Sequence, residues 1–535
     1  MLGVTTLFRV LPLAIILFSS NQIRCCAAKD NGIQWGSYST AKFGELALGP
    51  RPSMVTDQKS LRTRSSIRLL DQTLALKDTT HQVGNIYQNK GFVKASGTRF
   101  TVNDEPFYCS GTNAFYAALE YIMSEDEVTH MMKEHADRGV TVLRLFMSFF
   151  DSVPNSMMPS FGEYNEEALQ RLDSTLVEMA QNGIRAILVL SNYWPFLGGF
   201  SKWVEKAYPG QGKPLEEFYN DDFVKSEFKK FISMLINRRN TLTGVLYRDD
   251  PTIFAFELAN EPRAKGYDTT VGKMPGETIC SWAQEMTAFI RSQDSNHMVS
   301  IGDEGMRANG SNQEPHSWIN NGYEGVDFVC NLQYADFATI HAYPDAWAMS
   351  ADDGGYKWLG DNYFRDRRDI AHSMNKPIIL EEYGMRRGYL PQRKTLFDFI
   401  HQQVVDLDYS CSIVWGVSHE PTTPYQYGYY GYNDGQGYVF GYTGDDTDGS
   451  DSVVSQYKVM SDKTQSNAGA SDDITIGTDS RLSPSAISPL LDPLERGDDQ
   501  QIPIPNPDFD QEISGTGGEF QMLSLLLVCV MLFLY

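Results

Sequence analysis

Residues 253–261 read IFAFELANE, an apolar run of strand character that ends in Asn260 and Glu261. Seven further runs share this pattern, at 107–116, 141–147, 186–192, 298–304, 337–343, 377–383 and 411–417. Longer stretches with helical patterning separate them. Apolar strands that alternate with helices pair in parallel and are covered by helices on their faces. Eight such units, spread over about 360 residues, predict a closed (β/α)8 TIM barrel, an α/β fold that runs from about 200 to more than 400 residues. A doubly wound open sheet competes, but no G-x-G-x-x-G follows an early strand.

Polar residues collect where the runs end: Arg144, Asn192, Asn260 and Glu261, Asp303 and Glu304, His341 and Tyr343, Glu381 and Glu382, and Trp415. In a barrel the C-terminal strand ends form one mouth, and active sites lie there. Strand geometry puts His341 and Tyr343 on one face. Two carboxylates on different strands, with a polar cage and aromatic walls, suit glycoside hydrolysis, in which one acts as acid and base and the other as nucleophile or base. Asn, Arg and His position hydroxyls and tune carboxylate ionisation. Asp303 and Glu304 are read as rim residues outside the site. No phosphate loop, G-x-S-x-G elbow, C-x-x-C or His-rich cluster calls for a cofactor or a metal.

FAFELANEPR, with Asn260-Glu261-Pro262, resembles the acid/base segment of glycoside hydrolase family 5, and PIILEEYG (377–384) resembles its nucleophile strand. DFATIHAYPDAW (336–347), GTNAFY (111–116), LSNYWPFLGGFSKWV (190–204) and VSIGDEG (299–305) are similar to its endo-β-1,4-mannanase branch. The resemblance runs in order over residues 91–450. It implies Glu261 as acid/base, expected to start protonated, and Glu382 as an ionised nucleophile. It implies that Arg144 hydrogen-bonds the nucleophile, that Asn260 holds the 2-hydroxyl, and that His341 and Tyr343 orient the carboxylates. Trp415 would stack under the reacting sugar, Arg263 would reach a leaving-group sugar, and Asn192 joins them as a substrate-binding residue. Periodicity does not choose between Glu381 and Glu382; the family pattern does. The implied substrate is a mannan-type polysaccharide. A β-glucanase of the same fold, a non-catalytic surface glycan-binding protein and a transglycosylase are the alternatives.

The remaining sequence describes packaging. The 535 residues carry a net charge of −23, which disfavours a nucleic-acid partner. From Asp445 to Glu519 there are 16 acidic and 4 basic residues, so about half the excess lies in one stretch. Residues 1–28, with Arg9 before an apolar run and Cys26-Ala27-Ala28 after it, predict a secretory signal peptide. Residues 29–90 read as a leader of unassigned role. Residues 451–514, rich in Asp, Ser and Pro, predict a disordered stalk. Residues 515–535 end in a 14-residue apolar tail preceded by small residues from Ser514, the pattern of a glycolipid-anchor signal or a short membrane tail. Cys109, Cys280, Cys330 and Cys411 remain for up to two disulfides, with three possible connectivities. Asn309-Gly310-Ser311 is a glycosylation sequon. A monomer is expected, with membrane contact only through the C-terminus. Phosphatidylinositol-specific phospholipase should release the protein from intact cells into the medium; retention, with the C-terminal peptide intact by mass spectrometry, would instead indicate a membrane tail.

Overall fold

The computed structural model describes residues 91–119, 123–309, 317–352, 354–386, 392–418, 438–442 and 449–467, and the backbone of three strands nearer the N-terminus. Those strands, Ile16–Ser19, Gln22–Lys29 and Gly32–Tyr38, pair antiparallel into a small sheet within a separate unit, residues 1–81. Apart from them, the expected signal, leader and anchor segments lie outside the described residues, as do residues 310 and 311 of the sequon.

The larger unit is built on eight parallel strands: β1 (Cys109–Asn113), β2 (Val142–Phe146), β3 (Arg185–Val189), β4 (Ile253–Glu257), β5 (Met298–Ser300), β6 (Ala338–Ala342), β7 (Ile378–Tyr383) and β8 (Cys411–Val414). The ladder runs from β5 through β4, β3, β2, β1, β8 and β7 to β6. The seam between β5 and β6 is bridged by Asp336, whose amide donates to Val299 O at 2.9 Å. Its Oδ2 accepts from the Val299 amide at 2.7 Å. The expected barrel is thus observed. Apart from Arg185 at the start of β3, its strands are buried along their length, as strands between a packed interior and a shell of helices are.

The first run begins differently from the expectation. Glu105–Phe107 belongs to an antiparallel meander with Val93–Ser96 and Arg99–Val102, and the barrel strand starts two residues later, at Cys109. This meander plugs the floor. The fully buried Phe100 ring meets Phe254 and Phe337 edge-on at 5.0 and 5.4 Å, and packs with Val142, Ile187, Met298 and Ile379. Beside it, Cys109 and Cys411 are register partners on β1 and β8 and form a disulfide, which staples the first strand to the last. Cys280–Cys330 joins helix Glu277–Arg291 to helix Phe328–Tyr334. One of the three open connectivities is thereby selected.

The boundary at residue 450 and the start of the stalk at 451 are corrected. Residues Ser450–Asn467 form a helix that covers β1 and packs on helix Gln392–Asp406. Val453, Tyr457 and Met460 are fully buried, at the i, i+4, i+7 spacing of one helix face. Tyr457 OH donates to Gly111 O at 3.2 Å, and Thr464 Oγ1 accepts from the Tyr108 amide at 2.9 Å. The acidic composition, averaged over the whole tail, hid this short apolar stripe. Residues 468–514 lie outside the described residues. Among the described residues, no helix is long and apolar enough to cross a membrane.

Tyr457→Ala removes a buried ring from this seam and should cost about 3 kcal/mol of stability. Replacing Cys109 and Cys411 together by Ser should cost about 4 kcal/mol. Denaturant unfolding followed by tryptophan fluorescence measures both.

Candidate active site

The barrel brings the predicted residues to one mouth. Arg144 is the third residue of β2. Beyond β4, a bridge between Asn192 and Asn260 continues the β3–β4 pairing and carries the chain on to Glu261. Glu261 has φ +50°, in the left-handed region that non-glycine residues seldom occupy, and its amide is held by Gly302 O at 2.9 Å. Such strain is held only where surrounding bonds over-determine it. Gly302 is required here: at φ +80°, a Cβ would lie 2.1 Å from Ala259 O and 2.6 Å from Glu257 Oε1. His341 comes from β6, Tyr343 follows it, and Glu381 and Glu382 lie on β7. The β6–β7 register shifts between Ile340 and His341.

A fully buried guanidinium organises this set. Arg144 Nε and Nη2 donate to Glu257 Oε1 at 3.0 and 2.5 Å. Nη2 also reaches Asn260 Oδ1 at 2.9 Å, and Nη1 reaches Asn113 Oδ1 at 3.0 Å and Glu382 Oε1 at 2.5 Å. Tyr343 OH donates to the other oxygen of Glu382 at 2.7 Å. His341 Nδ1 lies 2.7 Å from Glu261 Oε1, and its Nε2 lies 3.2 Å from Glu381 Oε2. Trp194 Nε1 donates to Glu261 Oε2 at 2.6 Å. One polar atom each from Glu261, His341 and Glu382 fall within 4.8 Å of one another. Their atoms are already engaged in these hydrogen bonds, so we assign no ion to them.

The ionisation order differs from the expectation. Burial alone would raise the Glu261 carboxyl, but the hydrogen bond and charge of His341, the charge of Arg263 and the Trp194 bond outweigh it and hold it down at about 2. Burial disfavours the His341 cation, yet Glu382, Glu261 and Glu381 together raise its pKa well above 6.5. Burial and the charge of Glu261 push Glu382 upward against His341, Arg144 and Tyr343. Both directions favour an ion pair across the 2.7 Å Glu261–His341 bond, with the proton on the His341 side. The expected protonated Glu261 is reached only when that proton crosses.

Arg144, Asn260, Glu261, His341, Tyr343 and Glu382 come together directly. Trp415 is half-buried at the same mouth; its amide is held by Tyr383 O at 2.8 Å and its ring lies parallel to Phe115 at 5.2 Å. Asn192 is turned toward its own loop. Its Oδ1 accepts from the Trp194 amide and Asn260 Nδ2, both at 3.2 Å, and its Nδ2 donates to Phe196 O at 3.2 Å. Arg263 is clamped by both oxygens of Glu304 at 2.7 Å and by Glu324 at 3.0 Å, with its guanidinium 5.3 Å from the Trp194 ring. Glu304 is therefore part of the site's support.

Sequence reasoning missed Trp194, Glu257, Asn113 and Glu304. The available signal for Glu257 was a lone acid inside an otherwise apolar strand, which demands a buried partner.

The family described as GH family 5 beta-mannosidase-like matches residues 90–411. The chain belongs to glycoside hydrolase family 5. It is a glycosidase. A mannan endo-1,4-beta-mannosidase 1 of Oryza sativa subsp. japonica is 34% identical over 371 residues, covering 66% of this chain and 83% of that protein. Mannan endo-1,4-beta-mannosidase 7 of Arabidopsis thaliana is 34% identical over 334 residues, covering 59% and 74%. The X-ray structure of the endo-beta-1,4-mannanase from Thermotoga petrophila aligns with TM-score 0.60 and 30% identity, over 70% of this chain and 79% of that one. Family 5 membership agrees with the observed barrel.

Arg144→Lys keeps the charge but loses the planar fork that serves Glu257, Asn260, Asn113 and Glu382 together. With charge-assisted bonds worth about 1.5–3 kcal/mol each, kcat/KM should fall by roughly 100-fold or more. Steady-state kinetics measures it, with circular dichroism confirming the fold.

Proposed function

We propose that the chain is a retaining glycosidase that cleaves internal β-1,4-mannosidic bonds in mannan, galactomannan or glucomannan. The observation that carries this is the close approach of Glu261 and Glu382 across the mouth, within 4.8 Å between one oxygen of each. Retaining enzymes hold their carboxyl groups about 5–5.5 Å apart, whereas inverting ones leave room for a water at about 6.5–9.5 Å. The substrate reading is supported by the names of the plant relatives and of the Thermotoga petrophila structure.

The residues divide the work in two steps. Glu382 attacks the anomeric carbon; Arg144 Nη1 and Tyr343 OH, which donate to its two oxygens, aim it and favour its charge. Glu261 protonates the departing glycosidic oxygen, and the proton it uses is the one held on the 2.7 Å bond to His341. Glu261, then ionised, takes a proton from the water that opens the glycosyl ester. Asn260, fixed by Arg144 and Asn192, presents its amide to the 2-hydroxyl. Trp415, backed by Phe115, offers a flat face to the sugar ring.

Export and surface attachment form the rest of the proposal. Two disulfides fit an oxidising compartment. The reading is a signal peptide at 1–28, a leader at 29–90, a barrel reaching to 467, an acidic stalk from 468 to 514, a C-terminal anchor signal and a monomeric enzyme.

The pH–kcat profile should be bell-shaped. Its acid limb reports protonation of Glu382 and should lie above 4.5, since that carboxyl is pushed up. Its alkaline limb reports loss of the proton shared by Glu261 and His341 and should lie above 6.5. Glu382→Ala should lose nearly all turnover, with azide restoring some and giving an inverted product. Glu261→Ala should keep cleavage of substrates with good leaving groups, with azide giving a retained product. Product anomers followed by NMR on galactomannan, glucomannan, carboxymethylcellulose and laminarin test mechanism and substrate together. Preference for the last two would replace mannanase by β-glucanase.

A further inference from the structure

Two carboxyls of the site have no role in the chemistry above. Glu257 and Glu381 are both completely buried against Arg144. Glu257 accepts from Arg144 and, at 3.1 Å, from Ser300 Oγ. Glu381 accepts from His341 Nε2 at 3.2 Å and stands 3.6 Å from Arg144 Nη2. Its Oε1 has no N–H or hydroxyl donor in reach. Glu257 and Glu381 are brought side by side by Arg144, whose Nη2 stands 2.5 Å from Glu257 Oε1 and 3.6 Å from Glu381 Oε2. Two ionised carboxylates only accept and repel each other; one proton between them turns that repulsion into a bond. Burial, the largest influence on Glu257, drives it neutral despite Arg144, so Glu257 carries the proton. Burial pushes Glu381 up as well, but Arg144, His341 and the Glu257 bond outweigh it and keep Glu381 charged.

The bond made by one imidazole nitrogen sets the state of the other. With Nε2–H given to Glu381, Nδ1 faces Glu261 and can accept or return one proton. We infer that Glu381, held between Arg144 and His341 Nε2, is the positioning residue that fixes His341 as an Nε2–H donor and leaves Nδ1 as the exchange point for the acid/base proton. The inference rests on Glu261 as acid/base. The proton count closes: Glu261 gives its proton to the leaving oxygen, later takes one from the attacking water, and Nε2 keeps its own throughout. The other groups facing His341 are Glu261 and Glu382 at Nδ1, and Asp303 and Glu304 from the segment after β5. Arg144, Arg263 and Tyr343 act on it through those carboxylates. Glu381 is the residue bonded to Nε2.

Glu381→Gln keeps the shape and removes the charge at Nε2. The shared proton is then held less firmly, and the alkaline limb of the pH–kcat profile should fall by about one pH unit. KM should change by less than about twofold, because no contact to substrate is altered. Glu257→Gln imitates a neutral carboxyl and should leave the alkaline limb in place, whatever it does to turnover. Nitrogen-15 NMR of His341 in the full-length protein reads the tautomer without any catalysis. Above the alkaline limb, where His341 is neutral, the wild type should keep Nε2 protonated, and Glu381→Gln should bring up the Nδ1–H form. If Glu381→Gln does not fold, Glu381→Asp, which draws the charge back from Nε2, is read the same way. An alkaline limb that moves with Glu257→Gln but not with the Glu381 variant overturns the inference, as does an unchanged His341 spectrum in the Glu381 variant. Failure of the acid/base reading looks different: Glu261→Ala would then cleave poor leaving groups at the wild-type rate.

Discussion

The burial of one guanidinium is the constraint on which the rest of the mouth depends. Arg144 is completely out of water, and its N–H groups serve Glu257, Asn260, Asn113 and Glu382, which come from three other strands and the segment beyond one of them. A buried cation is tolerable only when it is paired and its donors are all met. The carboxylates around it are tolerable for the same reason in reverse. Removing any one partner leaves a charge stranded in a dry interior, which costs far more than the pair itself contributes. The site is therefore a single electrostatic unit, and its geometry is shared among β1, β2, β4 and β7.

That unit needs a barrel whose strands keep their stagger. The floor plug around Phe100 fills the end opposite the mouth. The Cys109–Cys411 bridge ties the first strand to the last, and Asp336 spans the seam where the ladder is thinnest. The helix Ser450–Asn467 then covers β1, which carries Asn113 at its end. Stability far from the mouth is thus linked to the placing of donors within it.

Four carboxyls share the region, yet they divide into two layers. Glu261 and Glu382 keep slight exposure, while Glu257 and Glu381 have none. His341 stands between the layers, one nitrogen toward each. Like charges this close cannot all ionise. Burial raises the Glu257 carboxyl and surrounding carboxylates raise His341, so protonation is favoured most at these two groups. A layer that never meets the sugar can in this way govern the one that does.

Much of this was legible in the sequence, for identifiable reasons. Eight apolar runs ending in polar residues gave the barrel, because a strand buried on both faces leaves no other pattern. The segments around Glu261 and Glu382 carried the family resemblance, since strand ends hold chemistry in a fixed chain order. The helix after β8 was hidden, because an acidic average over a long tail outweighed three apolar residues at helical spacing. Periodicity could not tell Glu381 from Glu382, since neighbours on a fully buried strand look alike until a register shift and a histidine separate them. The sequence by itself determined the strands and their order, because periodicity is written along the chain, and local motif pointed to Glu261 and Glu382 as the candidate carboxylates. Which acid holds the proton, which arginine is clamped and which asparagine turns from the mouth were decided only by tertiary structure. Those properties depend on burial and on charges brought within a few ångströms from positions far apart in the sequence.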